Sequence, residues 1–324
     1  MIAPEIKEIE AAYKSNYSTI HQSFLETQSD FLKDIYIRYN SDMNNANIVL
    51  FFARNLHKRI LRERDSDLDH DISLQNFWNN HSNTLQKKLK IIDIAKITGL
   101  PKETARRKMQ ELVNLKILKK NNNRIIWEPI EKDKESYNKL INDHIHLLTS
   151  YIDTVSTCLK LKLNKENIKN EIKSNFSFYW FHYLNTQLKY LKICKDKFKD
   201  LEILLILLQC SIQENKNYVK DNVSWFDIFK TKKETKNVEI SATSISMVTG
   251  IPRATCIRKL EKMKSKKIIM KDPDTKRYYS NTQANINLLD NVKISKNIIQ
   301  IFSELYFILI KGFLRNNKNL ILKS

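Results

Sequence analysis

Apolar residues recur at helical spacing along most of the chain. Ile20, Phe24, Phe31 and Ile35 share a face within residues 6–40, and Ile48, Phe52, Leu56 and Ile60 form an i, i+4 ladder within 45–62. Phe176 to Lys195, followed by Leu201, Leu204, Leu205, Leu208 and Ile212, predict another pair of helices. After each pair comes a shorter motif. Ile91 to Ile97 reads as a short helix that stops at Gly99, and the next helix turns Ala105, Met109 and Leu112 inward at i, i+4, i+7. Ile117 to Lys120, a turn at Asn121 to Asn123, and Arg124 to Trp127 then read as a hairpin. Downstream, Ile245 and Val248 precede Gly250, and Cys256, Leu260 and Met263 point inward. Ile268 to Lys271, a turn at Asp272 to Asp274, and Lys276 to Tyr279 form a second hairpin. A long helix trails each motif: Ile141, Leu148, Ile152, Val155 and Leu159 mark the first, and Ile298, Phe302, Leu305, Leu309 and Phe313 the last.

The two short motifs share their wording. Thr98-Gly99-Leu100-Pro101-Lys102-Glu103-Thr104-Ala105-Arg106-Arg107-Lys108-Met109 returns 151 residues later as Thr249-Gly250-Ile251-Pro252-Arg253-Ala254-Thr255-Cys256-Ile257-Arg258-Lys259-Leu260, six of twelve positions being identical. Only 3 glycines and 5 prolines occur in the chain, and Gly99, Gly250, Pro101 and Pro252 are among them. Proline suits a first helical position, where its missing N–H would be unpaired anyway, so helices are expected to begin at Pro101 and Pro252. The expected fold is mainly α: an internal duplication of a helical unit plus a winged helix-turn-helix with a small β-hairpin wing. Residues 1–131 hold a helical pair and the first winged helix (helix-turn-helix about 91–114, wing about 117–127). Residues 132–283 hold the linking long helix, the second pair and the second winged helix (about 242–265 and 268–279), and 284–324 the last long helix. At 324 residues, two domains with separate cores are expected.

Charge narrows the function. Fifty-six Lys and Arg against 36 Asp and Glu leave +20, which calls for a polyanionic partner. A membrane partner is not expected, because the longest apolar stretch, Leu201 to Cys210, is about half of the roughly 20 residues a spanning helix needs. Met1-Ile2-Ala3-Pro4-Glu5 leads into alternating charges, so no signal peptide is expected. The four cysteines lack C-x-x-C spacing, which argues against zinc and disulfides and for a reducing, cytoplasmic compartment. Bacterial nucleoid association follows if the partner is DNA.

A helix that enters a major groove must bury one face and offer long polar side chains on the other. Lys102, Glu103, Arg106 and Arg107 stand on or beside the free face of the first motif, and Arg253, Ala254, Ile257 and Arg258 on that of the second. Lys102, Glu103, Arg106, Arg107, Arg253 and Arg258 are the expected base readers. Thr104, Lys108, Thr255 and Lys259 on the helices, with Lys119, Lys120, Arg124, Lys271, Lys276 and Arg277 on the wings, are the expected phosphate contacts. About 45 residues per motif resemble the DNA-binding domain of bacterial regulators of the Crp/Fnr type, which often opens its recognition helix with R-E-T-x-x-R. Lys102-Glu103-Thr104-Ala105-Arg106-Arg107 matches with Lys for the first Arg; Arg253-Ala254-Thr255-Cys256-Ile257-Arg258 departs at Ala254. The resemblance implies base contacts by Lys102, Glu103, Arg107, Arg253 and Arg258 and phosphate contacts by the threonines, while the departure at Ala254, which removes a carboxylate, predicts that the two halves read different sequences. It does not extend upstream, where a helical, glycine-poor region excludes the family's cyclic-nucleotide barrel. No cofactor is expected.

Other constellations point elsewhere less strongly. Asp65, Asp67, Asp69 and Asp71 have calcium-loop spacing, but His70 replaces the turn glycine and Asn76 the last ligand, so an acidic connecting loop is expected. Phe176, Phe178, Tyr179, Trp180, Phe181 and Tyr183 read as core rather than pocket, and His144 and His146 do not face each other. The lysine runs 160–173 and 230–236 read as solvated faces that widen a phosphate footprint. No nucleophile–base pair, P-loop or Rossmann fingerprint appears, so no enzyme is expected. The expectation is therefore a sequence-specific double-stranded DNA-binding protein, a transcriptional regulator, with RNA polymerase as a further contact and homodimerisation through long helices 136–160 or 295–314. The rivals are a plasmid- or phage-type replication initiator, and a winged-helix scaffold for protein partners.

Overall fold

Capping and periodicity set out the elements of the computed structural model, which describes residues 3–128, 133–229, 238–281 and 289–316. The chain opens with α1 (Ile6–Ser15), α2 (Tyr17–Arg38) and α3 (Met43–Ser66). Asp42 caps α3 by accepting from the Asn44 and Asn45 amides at 2.7 and 3.2 Å. Next come α4 (Phe77–Asn83), α5 (Ile91–Thr98), α6 (Lys102–Asn114), the hairpin β1 (Leu118–Asn121) and β2 (Arg124–Trp127), and α7 (Lys134–Cys158). The same order then recurs: α8 (Lys165–Ser174), α9 (Phe176–Phe198), α10 (Leu201–Lys220), α11 (Trp225–Phe229), α12 (Ala242–Thr249), α13 (Arg253–Ser265), β3 (Ile269–Lys271), β4 (Tyr278–Ser280) and α14 (Leu289–Asn316). Asp200 caps α10 through the Glu202 amide, as Asp42 caps α3. The fold is mainly helical, with two small antiparallel hairpins as its only sheets among the described residues.

Separate cores for the two halves are not what the structure has. α3 lies on α9 and α10 lies on α2, so each half's central helices pack on those of the other, and one continuous apolar core results. The reason is visible on α2. Besides the expected stripe, Leu25, Leu32 and Tyr36 are buried, together with Ser18, Gln28 and Ser29. With only Thr19, Glu26 and Ile37 exposed along its length, α2 is buried on several sides, as a helix near the centre of a fold is. Its buried polar groups find partners across the halves: Gln209 donates to Ser29 Oγ at 2.7 Å, and Asn215 to the Ser18 carbonyl at 2.8 Å. His57 Nδ1 and Ser177 Oγ, 3.2 Å apart, join α3 to α9 in the same way.

The long helices close the two ends. α7 packs on α2 and α8, and α14 on α9 and α1. Ile141, Leu148, Ile152 and Val155, like Phe302, Leu305, Leu309 and Phe313, are buried within the chain. The stripes expected to serve a second copy are thus already covered. By length and composition one described helix, over Asn291–Arg315, could cross a membrane, although polar residues interrupt its apolar run. Its buried face packs on α1 and α9 as a core helix does. The aromatic run of α9 is core where expected, with Phe176, Tyr179, Trp180 and Tyr183 buried, as are Cys194 and Cys210.

β1 pairs with β2 from Leu118↔Trp127 to Asn121↔Arg124, with Asn122 in the left-handed region. β3 pairs with β4, and Ile240 bridges Tyr278 through two backbone hydrogen bonds of 2.8 and 2.9 Å. At the matching place in the first half a side chain does this work. The Gln86 amide donates to the Trp127 carbonyl at 2.8 Å and accepts from its N–H at 3.1 Å.

Candidate nucleic-acid interface

The turn between α5 and α6 needs Gly99, at φ 70°, and that between α12 and α13 needs Gly250, at φ 74°. Pro101 and Pro252 stand one position before the helices, at the N-caps, so α6 and α13 start at Lys102 and Arg253 rather than at the prolines. Each proline carbonyl accepts the first helical bond, from Ala105 at 2.9 Å and from Cys256 at 3.0 Å. The inward faces are as expected: Ala105, Met109 and Leu112 are buried on α6, and Cys256, Leu260 and Met263 on α13.

Outward, Lys102, Glu103, Arg106 and Arg107 are exposed on α6, and Arg253, Ala254 and Arg258 on α13. Thr104 and Thr255 are half-buried beside them, and so is Ile257. Arg106 is occupied by Glu103 at 2.8 Å, a pair open to solvent and easily exchanged. Arg253 Nε donates to Thr243 Oγ1 at 3.0 Å. Lys102, Arg107 and Arg258 have no ion-pair partner among the described residues. On the wings, Lys120, Arg124 and Arg277 are exposed and likewise unpaired, whereas Lys119 meets Glu128 at 3.0 Å and Lys276 donates to the Pro273 carbonyl.

Three expected phosphate contacts are turned inward. Lys108 reaches Asp42 at 2.6 Å and Glu111 at 2.7 Å, with its side chain only 10% exposed. Lys259 makes the matching contact with Asp200, and a second with Glu202 on α10 rather than on its own helix, at 2.9 Å. Burial opposes the charge on each lysine, but the carboxylates outweigh it and hold both ammonium groups above the ordinary lysine range. Burial likewise opposes the Asp42 charge, and the bonds from Lys108 and the two capped amides still bring its carboxyl below the usual range. Each lysine therefore clamps its helix to the capped start of α3 or α10. Lys271, the third, is bound by Glu261 at 2.9 Å and lies 5.0 Å from the centre of the Tyr278 ring. Glu261 also accepts from the Tyr278 hydroxyl at 2.8 Å, so this lysine stiffens the second wing.

A basic cleft beside the first wing was not expected from the sequence. It encloses about 230 Å³ next to Ile125 and is lined by Lys58, Arg59, Arg62, Lys87 and Lys88. The two arginines lie one helical turn apart on α3, and their i, i+3 spacing was the available signal. Of the two lysine runs, 160–173 falls partly on α8 and is partly neutralised by Asp153 and Glu166, whereas 230–236 lies outside the described residues. The Asp67 and Asp71 carboxylates accept backbone N–H groups of their own turn.

Comparison with protein-family models, with curated proteins and with solved structures finds no match to this chain.

Proposed function

We propose that the chain is a sequence-specific double-stranded DNA-binding protein, a transcriptional regulator that reads two adjacent, non-identical half-sites with two winged helices. One observation carries the reading: α6 and α13 each bury an apolar face while keeping Lys102 and Arg107, or Arg258, exposed and without an ion-pair partner among the described residues, beside exposed wing cations. Long unpaired cations on a helix of that build can reach base edges, while the wings and the basic cleft suit the phosphate backbone.

In this reading the recurring order of elements is an internal duplication of a helical unit plus a Crp/Fnr-like winged helix. It draws support from a second repeated phrase outside the helix-turn-helix. Lys14-Ser15-Asn16-Tyr17-Ser18 returns as Lys173-Ser174-Asn175-Phe176-Ser177, and Leu25-x-Thr27-Gln28 as Leu184-x-Thr186-Gln187. The exchange of packing partners, α3 on α9 and α10 on α2, makes the chain a dimer of units fused into one molecule. Two recognition helices held in one core would address half-sites about one helical turn, roughly 10 bp, apart. Glu103 and Arg106 on α6 face Ala254 and Ile257 at the same places on α13, so the half-sites differ in sequence. The reading assigns no catalysis and a cytoplasmic, nucleoid-bound location. A gel-shift comparison tests it: duplexes selected from a random pool bind more tightly than bulk DNA, whereas equal affinity for every duplex contradicts sequence-specific reading.

A further inference from the structure

Five cations line the cleft beside the first wing: Lys58, Arg59 and Arg62 of α3, with Lys87 and Lys88 of the loop before α5. None of them has an ion-pair partner among the described residues, and no carboxylate is among the described residues that line the cleft. Glu63, the next residue on α3, is engaged elsewhere. It accepts from the Thr84 hydroxyl at 2.6 Å and lies 3.9 Å from His70. The lysine loop is fixed at two points, since Thr84 ties it to α3 and Gln86 ties it to the Trp127 backbone of β2. Arg59 is half-buried, whereas the other four cations are exposed. Its Nε is buried and has no hydrogen-bond partner among the described residues. Buried donors are seldom left unpaired, and a guanidinium fork suits phosphate oxygens.

The second half does not repeat this set. Counted from the capping residues Asp42 and Asp200, Arg59 corresponds to Asn217, while Lys58 and Arg62 correspond to Lys216 and Lys220. Counted back from Gly99 and Gly250, Lys87 and Lys88 correspond to Val238 and Glu239. Three of the five cations are lost and a carboxylate is gained. A phosphate contact needed by any winged helix would be kept in both halves, so cations confined to one half point to a ligand of their own.

Charge and size narrow that ligand. A single phosphate group carries a charge of about −2 at most, too little to balance five cations, so several adjoining phosphates fit better. The cleft encloses about 230 Å³. That is below the roughly 300–1,000 Å³ of sites that enclose a drug-sized molecule, which suits a phosphate chain rather than a whole nucleotide. Half-buried Leu89 and Ile125 on its wall leave an apolar edge for a sugar or base.

We propose that this cleft binds a linear polyphosphate group, free or at the end of a nucleotide, and that the first half alone carries the site. Such binding stands whether or not the chain reads DNA; if it does, duplex and polyphosphate compete for these cations. Calorimetric titration of the full chain, without DNA, with ATP, tripolyphosphate, AMP and adenosine tests it. ATP and tripolyphosphate bind roughly tenfold or more tightly than AMP, the factor that one charge-assisted hydrogen bond is worth, and adenosine does not bind. ATP binding tighter than tripolyphosphate makes a nucleotide the source, and equal affinities make it the phosphate chain alone. Lys87→Gln with Lys88→Gln, both exposed positions, weakens the two polyphosphates roughly tenfold. Arg59→Gln does the same, with circular dichroism as the check on its fold. Lys216→Gln with Lys220→Gln removes the same charge from the second half and leaves the affinity unchanged, which separates a built site from general attraction to a chain of charge +20. The proposal is overturned if AMP binds as tightly as ATP, if the Lys87 and Lys88 double variant keeps the wild-type affinity, or if the second-half variant loses as much. It is also overturned if no polyphosphate binds while that first double variant flattens the salt dependence of duplex binding, which would give the cleft to the DNA backbone alone.

Discussion

Replacing Lys108 by methionine separates a structural lysine from a DNA-contacting one. The ammonium lies 2.6 Å from Asp42 and 2.7 Å from Glu111, and methionine keeps an apolar stem of similar length in place. Breaking a fully buried pair by removing one partner costs about 3–5 kcal/mol. Here Asp42 and Glu111 retain 23% and 32% of their side-chain surface in water. Solvent recovers part of the loss, and about 2–3 kcal/mol is expected. For a chain of this size that corresponds to a fall in Tm of about 3–6 °C. The pH dependence carries a sign. Asp42, held below its usual range, contributes stability that is present above about pH 4 and lost as pH falls through its lowered pKa. Lys108, held above its usual range, contributes stability that is present below about pH 10.4 and lost as pH rises through its raised pKa. The difference between wild type and Lys108→Met is therefore flat across neutral pH and narrows at both extremes. In DNA titrations over a range of salt the variant keeps the wild-type slope, whereas Lys120→Ala flattens it by about 0.9, the share of one phosphate. An unchanged Tm with a flattened slope for Lys108→Met would refute the placement of this lysine.

Three further outcomes can be checked. Gly250→Ala places a Cβ at 3.4 Å from the Ile37 side chain, an ordinary contact, so its cost is the left-handed backbone, about 1 kcal/mol in denaturant titration. His57→Asn removes a histidine whose pKa burial pushes down to about 3. The folded chain keeps that ring neutral while the unfolded chain protonates near pH 6.5, so stability is lost as pH falls below about 6.5, by about 1.4 kcal/mol per pH unit. The variant's stability curve should be shallower by that amount between about pH 6 and 4, and an unchanged slope contradicts the neutral buried ring. Arg258→Ala should cost about 1–3 kcal/mol at one half-site and relax its base preference, while Lys276→Ala weakens all duplexes alike. Competition gel shifts distinguish the two, and identical losses would place Arg258 on the backbone instead.

The helices, the two turns and the hairpins were legible because punctuation is scarce in this chain and falls where the turns are. Gly99 and Gly250 end α5 and α12 as their sequence spacing required. The shared core was not legible, since α2 and α3 each show one clear apolar stripe in sequence. Gln28, Asn47 and Ser29 look like surface residues, yet they are buried among apolar neighbours. Lys108 shows the same difficulty from the other side. Ala105, Lys108, Met109 and Leu112 fall at i, i+3, i+4 and i+7, the inward stripe of α6, so position outranked charge. The carboxylates that receive this lysine and Lys259 include Asp42 and Asp200, each more than fifty residues away in sequence, and periodicity carries no information at that range.

The central claim is that one chain presents two groove-reading helices at once. Hydroxyl-radical and methylation footprints of the full chain on a duplex selected from a random pool test it most directly. The account predicts a one-to-one complex protecting two adjacent major-groove segments about 10 bp apart, with Arg107→Ala and Arg258→Ala each erasing guanine protection in a different segment. A single protected segment, or two segments that fade together in either variant, would contradict it.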